Sequence, residues 1–480
     1  MYSKSKLHVK IGNILTDNFS SKIGVRQGDI LSPNLFKIFI NDLPIYFDDT
    51  PDPVMVNNRK INCLLYADDV VIMSTSHDGL QHKLNKLQTF CDDWGIEVNL
   101  SKTKAMIFNK TGKFLKENFL LGNKPLECAN RYKYLGITLT PSGSFQEAKN
   151  DLYRKALKAL FKLKADFVSL GPSIRSSLHI FDHTVKAILL YGADIWGCYL
   201  PPSFKLEHLC DWTKQSTFSP SSKMDLHFVK NILGLNKKSS NFGAMSEVGR
   251  FPIILDCFKA SIGYWYRLEN FSSNLLKDAY LDSKKQHEEG GQSWYSALSN
   301  MFNILKTPGG NKYKCCSKSS LKHTVKSNLK MLYIDTWYNF RINLINDNGK
   351  LRTYVQIKTN FGFEKYLDLL KDSKKRRCIT KFKISSHKLG IESGRYIRPL
   401  IPLNERICNR CDKQEIDDDH FFNNCTQVLE PRKTLFDLIS KSNVNFHNLS
   451  PILKIFWTFN CEDFDILNNL STFLLESGIT

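Results

Sequence analysis

Two adjacent carboxylates, Asp68 and Asp69, stand in Tyr66-Ala67-Asp68-Asp69 between the apolar runs Cys63-Leu64-Leu65 and Val70-Val71-Ile72-Met73. The pattern predicts a tight turn joining two buried strands, with like charges side by side. A divalent cation removes that repulsion, because hard oxygen ligands suit Mg²⁺ and the ion neutralises the pair. Asp is also a common turn residue, so an isolated pair would mean only a hairpin. A second set, Cys408-Asn409-Arg410-Cys411 followed by His420 and Cys425, has the spacing C-x2-C-x8-H-x4-C. Three soft thiolates and an imidazole at these separations suit tetrahedral Zn²⁺. The competing reading is a chance set of buried thiols, since the chain has 13 cysteines.

The aspartate pair has company. Upstream runs Gly24-Val25-Arg26-Gln27-Gly28-Asp29-Ile30-Leu31-Ser32-Pro33, then Phe36-Lys37-Ile38-Phe39-Ile40-Asn41-Asp42-Leu43. Downstream come Gly95-Ile96-Glu97-Val98-Asn99-Leu100-Ser101-Lys102-Thr103-Lys104 and Tyr132-Lys133-Tyr134-Leu135-Gly136-Ile137. In this order the segments resemble motifs B, C, D and E of a reverse transcriptase palm, over roughly residues 10 to 145. The Gly-Val-Arg-Gln-Gly and Ile-Asn-Asp-Leu wording resembles the non-LTR, LINE-type retrotransposon branch. That resemblance implies an RNA-directed DNA polymerase that extends a DNA primer with dNTPs on an RNA template. It implies Asp68 as the shared Mg²⁺ ligand, Asp69 as a weaker one, and Tyr66 and Ala67 beneath the end of the incoming strand. Gln27 and Gly28 would line the template and nucleotide pocket. Lys102 would stand near the leaving pyrophosphate as charge stabiliser or proton donor, the alternative being a solvated loop lysine. Tyr134, Leu135 and Gly136 would form the hairpin that grips the primer.

Two-metal phosphoryl transfer holds its cations about 3.5–4 Å apart, and one hairpin cannot encircle both. The family supplies a further Asp from an earlier strand, motif A. Before Gly24 the sequence reads as a strand pair, Leu7 to Ile11 and Ile14 to Phe19, and offers only Asp17 in the turn signature Leu15-Thr16-Asp17-Asn18. The expectation is an N-terminally truncated element, without its fingers, its first catalytic Asp or the endonuclease such elements carry. The alternative function is a non-catalytic nucleic-acid-binding remnant of such an element.

These residues need elements to hold them. Ser32-Pro33 predicts a capped helix over Asn34 to Asp42, and Glu97 to Leu100 reads as a strand leading to Lys102. From Phe145 to Leu170 the period turns helical, with Leu152, Ala156, Leu160, Leu163 and Phe167 on one face. Lys155, Lys158 and Lys162 fall on another face, suited to a duplex backbone or simply to solvent. A second pattern, Ile174 to Ile188, runs into Tyr191-Gly192-Ala193-Asp194-Ile195-Trp196-Gly197, which resembles the thumb of non-LTR elements. Residues 276–315, with Lys284-Lys285, Gly290-Gly291 and Pro308-Gly309-Gly310, read as a polar linker, with Trp294 to Leu305 as a candidate helix inside it. Around the Cys and His set stand Arg395, Arg398 and Arg406, preceded by the run Lys374-Lys375-Arg376-Arg377; Asp417-Asp418-Asp419 reads as a helix-start cap. The expected fold class is α+β. It comprises a partial polymerase palm of antiparallel sheet and helices over 1–145, a helical thumb and connection over 146–275, the linker, and a mostly helical 316–480 with a small zinc module.

Charge names the kind of partner. Of 480 residues, 67 are Lys or Arg and 47 Asp or Glu, a formal net charge of +20. Such an excess favours a polyanion, because each phosphate neutralised releases counterions, the alternative being a merely solvated basic surface; the family resemblance implies RNA and RNA–DNA duplex as the partners. A hydrophobic content of 42% fits folded domains. No run of 18 apolar residues occurs, so no membrane span is expected. Met1 to Lys10 does not read as a secretory signal. An odd, scattered set of cysteines fits reduced intracellular thiols, and the family resemblance implies a nuclear site of action.

Overall fold

Alternating apolar residues in the first 140 positions fold into short hairpins, each two or three strands wide. The computed structural model describes residues 6–478 apart from 21–23, 27, 211–219, 273, 315, 346–348, 395–398, 400, 403–404, 407, 409 and 412–417. It divides into two units, Met1–Glu147 with Ser272–Lys285, and Ala148–Phe271 with Gln286–Thr480.

In the first unit, Lys10–Ile11 pairs with Ile14–Leu15 inside an outer pair, Lys6–Leu7 with Phe19–Ser20. The other antiparallel pairs are Val54–Val56 with Arg59–Ile61, Cys63–Tyr66 with Asp69–Ile72, Phe119–Leu121 with Lys124–Cys128, and Tyr132–Tyr134 with Ile137–Leu139. Lys104–Ala105 adds a parallel strand beside Lys124–Cys128. The organising helix is His77–Trp94. The Ser76 hydroxyl caps its start by accepting from the Gly79 N–H, and Gly95 ends it at φ +64°. Its face of Leu84, Leu87, Phe90 and Cys91 is buried with Ile40, Leu43, Phe47, Phe119, Leu121 and Leu126 in one core. Burying a side chain such as Leu or Phe contributes about 1.5–3 kcal/mol, so this helix anchors the hairpins packed on it.

The second unit is helical among its described residues. Gln146–Leu170 leads into it with Leu152, Ala156, Leu160 and Leu163 buried, as its period predicts. Ile174–His183 and Val185–Leu189 follow, broken at Thr184, then Pro220–Ile232, Ile253–Asn270, Trp294–Ile304 and the 28-residue Lys318–Ile345. A large apolar core joins Ser373–Lys383, Leu429–Ser442, Pro451–Phe459 and Phe464–Glu476. Several buried ions inside the unit are paired. Arg250 bridges Asp225 at 2.6 Å and Asp182 at 2.7 Å, and Lys383 pairs with Glu247 and Glu364.

Several expectations change. The helix after Arg26 spans Ser32–Ile40, starting earlier than its serine-proline signal implied. Ser32 lies inside it and donates to the Arg26 carbonyl, while the Asp29 carboxylate accepts from the Leu31 N–H at 2.9 Å. Residues 96–99 form no strand: the Asn99 side-chain oxygen accepts from the Ser101 N–H at 3.1 Å and the Lys102 N–H at 3.3 Å, so the chain turns. Within 276–315 the expected helix forms as Trp294–Ile304, and Leu275–Glu288 is helical where linker alone was expected; Tyr280, Leu298, Met301, Phe302 and Tyr313 are buried. Near Asp17 the tight turn is Gly12-Asn13, and Asp17 itself lies in the bulged, exposed segment before Phe19.

Candidate active site and metal centre

The aspartate hairpin forms as its alternation dictates, with Tyr66 paired to Asp69 across a two-residue turn of Ala67 and Asp68. Ala67 sits at φ +52°, a left-handed conformation that costs a non-glycine residue about 1–2 kcal/mol. Backbone strain of this kind is typical of functional turns. Tyr66 through Asp69 are exposed, and the strands are half-buried rather than buried. The reason is visible in the pairing: among the described residues no third strand joins this hairpin on either edge. Neither Asp68 nor Asp69 has an ion-pair partner among the described residues, although the chain carries +20.

Three of the expected neighbours are brought to the same unit. The Tyr132–Leu139 hairpin turns at Leu135 and Gly136, both at positive φ, as two-residue hairpins require. Burial, and then the Asp69 carboxylate, push the Tyr134 phenol above its ordinary range, so these two turns share one electrostatic environment. The Tyr132 hydroxyl donates to the Lys102 carbonyl at 3.2 Å and ties the Lys102 turn to this hairpin; the Lys102 side chain is exposed. Gly24 and Gly28 have φ +87° and +85° with open space where a Cβ would stand. Backbone conformation, not a crowded neighbour, calls for glycine there. Gln27 lies outside the described residues.

Lys83 supports the hairpin and was not singled out from the sequence. Its buried ammonium donates to the carbonyls of Met73, just past the second strand, at 2.9 Å and of Asp52 at 3.2 Å. Burial holds its pKa below the ordinary lysine value. The available signal was its place on the apolar face, one residue before Leu84.

Cys408, Cys411, His420 and Cys425 converge, with their ligand atoms all within 4.8 Å of one another. The Cys408 and Cys425 sulfurs are 3.9 Å apart, and the Cys411 sulfur is 3.2 Å from His420 Nε2. A tetrahedron with Zn–S bonds of about 2.3 Å has S···S edges of about 3.8 Å, so the donor set fits a zinc ion in number, type and spacing. His420 and Cys425 come from a single π-turn, His420–Asn424, whose last N–H bonds close the loop at Cys425. Burial pushes the Cys425 thiol up to about 11, a cost that a cation beside the sulfur reverses. Cys408 and Cys425 belong to the large helical core rather than to a separate small module.

The charges around this centre differ from expectation. Asp418 is buried and caps nothing: it pairs with His387 at 2.8 Å and Arg352 at 3.2 Å and accepts from the Thr353 hydroxyl. Arg406 points inward and donates to the carbonyls of Ile401 at 3.1 Å and Ile391 at 2.8 Å, so its guanidinium holds the segment together instead of facing a phosphate. Arg395, Arg398 and Asp417 lie outside the described residues. In the basic run, Arg376 donates to the Leu370 and Lys371 carbonyls and Lys375 to Asn468, while Lys374 is exposed. Lys155, Lys158 and Lys162 are exposed on Gln146–Leu170.

The paired-carboxylate hairpin and the Tyr132–Leu139 hairpin thus lie in one mixed sheet-and-helix unit. Residues 2–139 match the family described as reverse transcriptase (RNA-dependent DNA polymerase), so this part of the chain is a reverse transcriptase domain. Its relatives are polymerases of LINE-type, non-LTR retrotransposons. The RNA-directed DNA polymerase from mobile element jockey of Drosophila melanogaster is 26% identical over 212 residues, covering 40% of this chain and 22% of the relative. A probable RNA-directed DNA polymerase from transposon BS of the same organism is 30% identical, covering 37% of this chain and 20% of the relative. The Pol polyprotein of a type-1 R2 retrotransposable element from Popillia japonica is 28% identical, covering 52% of this chain and 40% of the relative. The chain thus spans between about a fifth and two fifths of the length of these curated relatives. No described helix is long and apolar enough to cross a membrane.

Proposed function

We propose that the chain is the polymerase portion of a LINE-type element, in which Asp68 and Asp69 supply part of a two-metal site for adding dNTPs to a DNA primer on an RNA template. The observation that carries this reading is the strained, exposed turn that presents two carboxylates without cationic partners beside the Tyr132–Leu139 hairpin. Mg²⁺ held there would neutralise the pair and polarise phosphoryl oxygens. In this reading residues 1–145 form the palm and 146–275 a thumb. Tyr134, Leu135 and Gly136 steady the primer end, and Gln27, Gly28, Tyr66 and Ala67 line the template and nucleotide pocket. Lys102 steadies the leaving pyrophosphate, and Lys155, Lys158 and Lys162 face the duplex backbone. Zn²⁺ at Cys408, Cys411, His420 and Cys425 is structural.

One observation favours the second reading, a nucleic-acid-binding remnant without catalysis. Among the described residues neither Asp68 nor Asp69 converges with a third metal-binding side chain, and the hairpin edges carry no further strand. Primer extension on an RNA template separates the two. With the full chain and Mg²⁺ we expect extension no higher than in the D68A/D69A variant, alongside firm binding of RNA–DNA duplex. Extension that vanishes in the double variant would establish a complete site within this chain. Failure to bind duplex at all would sink both readings.

A further inference from the structure

Ile253–Asn270 and Lys318–Ile345 border a groove of about 530 Å³ in the helical unit, lined by Lys259, Arg267, Lys318 and Lys322 against Asp194 and Asp256. The acids are already engaged. Asp256 pairs with Lys186 at 3.1 Å, and Asp194 faces Arg267 at 3.6 Å. Lys318 and Lys322 of the lining continue as Lys326 and Lys330 at every fourth residue of the same helix, all exposed. Lys330 lies over the Phe251 ring at 4.9 Å. Among the described residues, Lys259, Lys318, Lys322 and Lys326 have no salt bridge. Lys259 feels this crowding: burial first holds its pKa down, Asp256 opposes this, and Lys326, Lys322 and Lys186 lower it further. Like charges in excess of the acids beside them destabilise a fold unless an anion joins them.

Four residues of helix rise about 6 Å and advance about 40° around the axis. Successive lysines therefore step along the helix at a spacing comparable with successive phosphates of one nucleic-acid strand. We propose that this groove is a backbone track for single-stranded RNA, engaged phosphate by phosphate by Lys318, Lys322 and Lys326 from one wall and Lys259 and Arg267 from the other. A row of cations on a single helix face matches one strand, whereas a duplex would also need cations spread across a wider surface. The nature of the polyanion rests on the reverse transcriptase reading; the location of the track does not.

The test uses the full chain and a short fluorescent oligouridylate, with affinity measured across a range of KCl concentrations. Each phosphate contact on a single strand contributes about 0.7 to the log–log salt slope, so K318Q/K322Q/K326Q should lower the slope by about 2. In the unmutated chain, bound RNA should shield Lys259, Lys318, Lys322 and Lys326 from acylation while exposed Lys441 keeps its reactivity, a readout independent of how the variant folds. An unchanged slope in a variant of unchanged melting temperature, or no shielding in the unmutated chain, overturns the track and leaves the polymerase reading standing. Poly-glutamate binding with the same affinity and slope as RNA also overturns it. Absence of binding to both RNA and RNA–DNA duplex overturns the track and the polymerase reading together.

Discussion

At the scale of single residues, Ala67 shows how chemistry and strain meet. A two-residue hairpin that follows strand twist needs positive φ in its turn, and glycine would supply it without penalty. This chain has alanine at φ +52°, next to the carboxylates, and leucine at φ +46° in the neighbouring turn. Alanine tolerates the left-handed region at modest cost, but a β-branched residue there is a genuine outlier. Ala67→Val should therefore destabilise the Cys63–Ile72 hairpin by about 1–2 kcal/mol, while the helical unit melts as before. Hydrogen exchange of the Leu64 and Val71 amides, which form a hydrogen-bonded pair of the hairpin, should quicken; unaltered exchange would mean the turn relaxes freely and stores no strain. The aspartates themselves were legible in sequence because two acids between apolar runs are unusual. Lys83 was not, because lysine on a helix reads as solvated. Only the structure shows its ammonium enclosed by the carbonyls that fix the far end of the hairpin.

At the scale of elements, periodicity predicted best where one face alone is buried. Gln146–Leu170 differs from its expected span by a single residue at the start, and Leu152, Ala156, Leu160 and Leu163 all point inward. It failed where a largely polar surface covers few buried residues, as over Leu275–Glu288, and where a side chain bends the backbone, as Asn99 does. The metal ligands were legible by spacing, but their setting was not. A finger peptide depends on zinc for its whole fold, with binding worth about 10–16 kcal/mol. Here Cys408 and Cys425 are packed in a core shared with Phe382, Phe421, Ile439, Phe459 and Leu470, so apolar burial carries part of the load. The full chain should contain one zinc per molecule by elemental analysis, and Cys408→Ser should remove it. Chelation should lower the unfolding midpoint of the helical unit while leaving most helical signal at room temperature. A midpoint indifferent to chelator, or metal well below one equivalent, would return the four residues to the status of buried thiols and a buried histidine.

At the scale of the whole molecule, net charge and exposed apolar surface pull in opposite directions. A charge of +20 keeps chains apart, yet the sheet-bearing unit exposes Ile30 at 90%, Ile38 at 73% and Ile45 at 63%, beside hairpins with unpaired edges among the described residues. Sequence reading assigned the apolar strands to a buried sheet because such runs normally have both faces covered. The structure leaves them half-covered, a circumstance that depends on which other segments pack there and is not written in the local pattern. Unpaired edges and contiguous apolar surface invite association, and salt removes the charge repulsion that opposes it. The purified chain should therefore self-associate more strongly as ionic strength rises, the reverse of its expected binding to RNA. Sedimentation velocity at low and high KCl measures this directly. I30K/I38K should restore a monomer at high salt with little change in melting temperature, because both positions are solvent-facing and such substitutions usually shift stability by no more than about 0.5 kcal/mol. A chain that stays monomeric at high salt without these changes would show that the exposed isoleucines are not sticky, and that the half-covered hairpins are stable as they stand.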